Sequence, residues 1–147
     1  MRLLRRHSHL AWVFCLAGML AGCAAPQQTA RVRSCPVAEG TPLVVFELFF
    51  GRSIQGRGEV GHRAWDDFLE RVVTPNLPNG YTVSDAIGAW MNPATSRTIR
   101  ERTKVLLAAL PDDAGSAAAI ARIRHAYDVR FHQMQVGMTV AAVCGSF

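Results

Sequence analysis

Three arginines in well-separated segments are the side chains best suited to chemistry. Arg52 ends the run Phe50-Gly51-Arg52, just before Ser53. Arg100 precedes Glu101, and Arg130 stands three residues before Gln133. A guanidinium offers a planar fork of donors that fits a carboxylate or a phosphate. Gathered at one end of a fold with Ser53, Trp90, Glu101 and Gln133, these groups would make a site for an anionic small molecule. The plainer reading is a structural network in which the arginines tie loops to Glu101. Glu47 offers a different chemistry. It is the single charge in an apolar run, so in a covered cleft its pKa would rise and it could act as a general base. Its plainer reading is a cross-strand pair with a cation such as Lys104.

Other patterns carry less. Gly56-Arg57-Gly58-Glu59-Val60-Gly61 fits G-x-G-x-x-G. A dinucleotide fingerprint would need its first glycine directly after a strand and a parallel strand bearing an acid further on, and neither is present. A flexible loop is the better reading. His125, Asp128 and His132 share one helical face, but that face lies opposite an apolar stripe and reads as solvated. His62 and Asp66 make an i, i+4 pair with no nucleophile beside them. No metal and no cofactor is expected.

The elements that would position these groups follow from periodicity. Leu43 to Phe50 alternates with apolar residues on both faces, which predicts a central strand covered on each side. Gly51 to Gly61 reads as a glycine-rich loop. Trp65, Phe68, Leu69 and Val72 fall at i, i+3, i+4 and i+7, the stripe of a helix that starts after Gly61 and ends at Pro75. Tyr81 to Met91 and Thr98 to Leu110 read as two strands joined by a hairpin over 92–97. Ser116 is the expected N-cap of a second helix, with Ile120, Ile123, Tyr127 and Phe131 buried. Val136 to Cys144 is a last strand. Strand, helix, strand, strand, helix, strand predicts an α+β fold. The expected form is a ferredoxin-like βαββαβ sandwich: a four-stranded antiparallel sheet with two helices on one face. In that layout the first strand is interior, and Arg52, Ser53, Trp90, Arg100, Glu101, Arg130 and Gln133 all lie toward one end.

The segments resemble an uncharacterised family of bacterial lipoproteins, domain-of-unknown-function family 3574. The matching pieces are Glu47 to Ser53, Trp65 with Phe68, Val73-Thr74-Pro75, Gly80 to Val83, Gly88-Ala89-Trp90, Arg100 to Lys104, and Tyr127 to Gln133. Arg102 stands where that family usually has proline, and His132 where it commonly has glycine. The resemblance implies no activity.

The chain has 147 residues, enough for one domain, with half of them hydrophobic and a formal charge of +5. Arg2, Arg5 and Arg6 head the sequence, and no acid precedes Glu39. The basic excess thus belongs largely to a targeting segment, and no nucleic-acid partner is expected. Residues 1–22 read as a signal peptide whose apolar stretch, Leu10 to Ala21, is too short to span a membrane as a helix. It ends Leu20-Ala21-Gly22-Cys23, which resembles a bacterial lipobox. That resemblance implies cleavage before Cys23 and lipid on its sulfur. Ala24 after the cysteine implies the outer membrane, on the side facing the periplasm. Residues 23–34 read as a tether and 35–147 as the domain. Cys35 and Cys144 remain, at the start of the first strand and the end of the last. An oxidising compartment then predicts a disulfide between them. The readings left open are a lipid-anchored binding module and an enzyme of the paired ferredoxin-like type. The enzyme would have its cleft over the open sheet face near Glu47 and Lys104. A homodimer through that face fits either.

Overall fold

Alternation builds the centre of the molecule. In β1 (Thr41–Gly51) Val44, Phe46, Leu48 and Phe50 are buried on one face, while Leu43, Val45, Glu47 and Phe49 are half-buried on the other. The computed structural model describes residues 35–36, 39–54, 56–92 and 95–147. The expected signal peptide, Cys23 and the tether lie outside them.

The main sheet has four strands, all antiparallel. β4 (Thr82–Asn92) pairs with β5 (Arg97–Leu110), β5 with β1, and β1 with β6 (Gly137–Gly145). β4 and β6 are therefore edges and β1 is interior. Between β1 and the first helix the chain adds a tight hairpin, β2 (Ser53–Ile54) against β3 (Gly58–Glu59). This replaces the open loop expected there. Gly56 and Gly58 have positive φ and supply its turn.

Two helical segments cover one face. The first runs from His62 to Phe68, with Gly61 as N-cap, and continues through a π-helical stretch, Leu69–Val73, into a last turn at Thr74–Asn76. Pro75 was expected to stop this helix, but the helix passes through it. The wider π turn shifts the hydrogen-bond register, and Pro75 stands at the start of the final turn, where its missing N–H matters least. The long helix spans Ala114–Phe131. Its N-cap is Asp113, not Ser116: the Asp113 carboxylate accepts from the Ser116 N–H at 2.7 Å.

The core is aromatic where the two helices meet β1. Tyr127 stacks edge-on against Phe50 (4.8 Å between centroids) and lies against Phe131 (4.7 Å). Phe50 also meets Trp65 edge-on at 5.3 Å. Such edge-to-face pairs add about 0.5–1.5 kcal/mol each to the area they bury. Cys35 and Cys144 form a disulfide, with Cα atoms 5.4 Å apart, that ties the chain before β1 to the end of β6.

Candidate functional site

Cross-strand pairing assigns each candidate to a face, because residues directly opposite share one. Lys104 pairs with Phe50 on one side and Asp85 on the other, so it lies on the helix-covered face. Its stem is buried, its ammonium lies 6.0 Å from the Trp65 ring centroid, and Nζ meets the Asp85 carboxylate at 2.7 Å. Hydrogen bonding to Lys104 holds the Asp85 carboxyl below its usual range. Glu47 lies on the other face, opposite Leu107 and Thr139. Its Oε2 accepts from the Thr139 hydroxyl at 3.1 Å. The expected Glu47–Lys104 pair is thus corrected: the sheet separates the two. The signal was in the sequence. Leu106, Ala108 and Leu110 continue the parity of Lys104, and all three are core residues.

At the end of the sheet the candidates divide. Ser53, Trp90, Glu101 and Gln133 join in one chain of hydrogen bonds. Glu101 accepts from the Trp90 indole N–H and the Ser53 backbone N–H, each at 3.1 Å. Gln133 donates to the Ser53 carbonyl at 2.9 Å, and the Tyr127 hydroxyl donates to the Gly51 carbonyl at 2.9 Å. Burial pushes the Tyr127 phenol well above its ordinary pKa, so it stays a donor.

The three guanidiniums are not brought to one point. Arg52 is only 3% exposed. Its Nε donates to the Val60 carbonyl at 2.8 Å, and its fork meets Glu59 at 3.0 Å, which fastens the β2–β3 hairpin. Arg130 crosses to the first helix and meets Asp67 at 2.6 Å. That hydrogen bond is the main reason the Asp67 carboxyl titrates below its usual range. Arg100 is exposed opposite Ala89, on the sheet face away from Glu101. The partners that reading the sequence missed, Glu59, Asp67, Asp85 and Thr139, are all surface-type polar residues. Their roles depend on which strands and helices meet.

The other motifs settle as local structure. A side-chain carbon built on Gly56, Gly58 or Gly61 would meet nothing within 4 Å, so no backbone packs closely on that G-x-G-x-x-G. Asp128 and Arg124 grip one residue of the turn into β6. Arg124 donates to the Val136 carbonyl at 2.9 Å, and Asp128 accepts from the Val136 N–H. Asp128 Oδ1 is buried without a hydrogen-bond partner among the described residues. His132 is the C-cap in a left-handed conformation, φ 54°, the reason glycine suits that position. Arg102 leaves β5 continuous, and its carbonyl accepts from the Arg52 N–H at 3.0 Å.

A family model described as a protein of unknown function (DUF3574) matches residues 46–147, a span that includes every residue at this end of the sheet. The chain belongs to this family. Within the matched span, Ser53 and Trp90 both bond to Glu101, and Tyr127 bonds to the Gly51 carbonyl, at the end of the sheet. No curated protein matches the chain in sequence. Among solved structures it is similar to a phage SAM lyase in complex with S-methyl-5'-thioadenosine. The TM-score is 0.57 at 8% identity, over 78% of this chain and 97% of that one. At that identity the likeness is one of fold.

Proposed function

We propose that the chain is a lipid-anchored protein of the cell envelope whose domain, ferredoxin-like in kind, is a binding module rather than an enzyme. The lipobox ending in Cys23 supports the anchor and an outer-membrane location facing the periplasm. The interior place of β1 and the two helices on one face support the fold assignment. The observation that carries the binding reading is the bare second face of the sheet. Phe49, Val45, Val105 and Ala109 are only half-buried there, Leu107 is exposed, and among the described residues no element covers them. A soluble domain seldom leaves such a patch without a partner. A second copy of this chain is the partner we propose. An anionic ligand would have to be held without Arg52 and Arg130, whose guanidiniums are engaged internally.

Native mass spectrometry of the protein taken from its own envelope tests this. A dimer or a retained ligand, lost on Leu107→Glu, is the expected result. A ligand-free monomer that Leu107→Glu leaves unchanged would overturn it.

The enzyme reading has one observation behind it, the fold shared with a lyase holding a thioadenosine. Its cleft would lie over the same face, beside Glu47 and Thr139. Calorimetric titration with S-methyl-5'-thioadenosine separates the two: heat of binding that Glu47→Gln abolishes would favour the enzyme.

A further inference from the structure

The β4–β5 hairpin outruns the rest of the sheet. β1 ends at Gly51, opposite Thr103, and the pairs from Ile87–Arg102 to Asn92–Arg97 continue beyond it. Lys104 and Asp85 mark the last covered level on the helix side. Past them Ile87 is 66% exposed and Met91 67%. Ala89 between them is exposed as well, so β4 shows a continuous apolar row. Along β5 the same face carries Arg102 opposite Ile87, Arg100 opposite Ala89 and Thr98 opposite Met91. Both arginines are exposed, and Arg97 stands exposed toward the tip.

Among the described residues of β4 and β5, no acid lies on this face beyond Asp85. Glu101 projects from the opposite face, where Ser53 and Trp90 hold it. The result is a two-stranded arm, apolar along one strand and cationic along the other on this face. Trp90, 37% exposed, stands on its reverse side.

We propose that this arm docks on an anionic lipid surface. A bilayer interface offers hydrocarbon to Ile87 and Met91 and phosphate to the guanidiniums in one plane. A surface of carboxylates alone would satisfy the guanidiniums and leave the apolar row of β4 in water. The proposal rests on neither the Cys23 lipid nor the open sheet face. Cys35 lies by the far end of β6, the end of the sheet remote from the arm.

The test is hydrogen–deuterium exchange on the full chain with vesicles of phosphatidylglycerol or of phosphatidylcholine. Lipid on Cys23, or the apolar run 10–21 in an unprocessed chain, can bring the protein to either vesicle, so the readout is the arm itself. Protection of amides in 87–92 and 97–102 is expected on the anionic vesicles only, and raised salt should remove it. Each of Arg100→Ala and Arg102→Ala should weaken anionic binding about fivefold. Ile87→Ser/Met91→Ser should abolish the protection, and Arg63→Glu on the first helix should leave it. Arm exchange indifferent to vesicles would overturn the proposal, as would equal protection on both lipids. Protection by polyglutamate without protection by vesicles would overturn it in favour of an acidic protein partner.

Discussion

The Glu101 carboxylate lies so close to Gly51 that a side-chain carbon on that glycine would stand 2.8 Å from Oε1. The contact sits where β1 leaves the sheet. The same carboxylate holds Ser53 and Trp90, so one residue fixes the exit of the central strand and the orientation of an exposed indole. A methyl at position 51 would make this carboxylate shift, and with it both of its hydrogen bonds.

Gly51→Ala is therefore expected to cost about 1–3 kcal/mol, read by urea denaturation. Glu101→Ala in the same chain removes the obstacle, so the pair should cost less than the sum of the two single changes. Strict additivity would show that the close approach is not the cause.

The disulfide closes a long stretch of chain, with 109 residues of sequence separation between Cys35 and Cys144. A cross-link of that span restricts the unfolded chain most. Replacing both cysteines with Ala should lower stability by about 2–5 kcal/mol. Thermal unfolding with and without a reductant should show the same difference in the wild-type protein and none in the double variant.

His132 adopts a left-handed conformation at the end of the long helix, with its N–H on the Asp128 carbonyl. A side chain with a Cβ is strained there and glycine is not. His132→Gly should raise stability by about 0.5–1 kcal/mol, after the entropy glycine loses on folding is set against the relief. A loss of stability would mean that the imidazole makes a contact worth more than the strain.

Burial pushes the Asp128 carboxyl above its ordinary range, with Arg124 and the Val136 N–H pulling it back down. A carboxyl raised in this way holds its proton more tightly folded than unfolded. Its contribution is fully present below the unfolded value, about 4, and is lost as pH rises through the folded value. Asp128→Asn keeps an acceptor for Val136 and cannot ionise. Its stability relative to the wild-type chain should rise with pH across that window in melting curves. Asp67 and Asp85 run the other way: both are held low by their cations, so what they contribute fades as pH falls.

The sequence by itself determined the elements and which of their faces are apolar. Alternation in Leu43 to Phe50 and in the parity of Leu106, Ala108 and Leu110 is enough to make buried strand faces. The spacing of Trp65 and Phe68, and of Ile120, Ile123 and Tyr127, is enough to make the helical stripes. These are properties of neighbours along the chain, and a period is visible without knowing what packs on it. The end of the sheet was legible only as a gathering of polar types. Which guanidinium meets which carboxylate depends on strand register and on a hairpin at Ser53 to Glu59 that no apolar period announces. Tertiary structure alone decided which groups Lys104 meets on the face its parity assigns, that Arg52 and Arg130 close ion pairs within the protein, and that the ribbon carrying Arg100 and Arg102 runs on past the end of β1. A side chain's partner is set by distances between segments remote in sequence, and those distances exist only once the chain has folded.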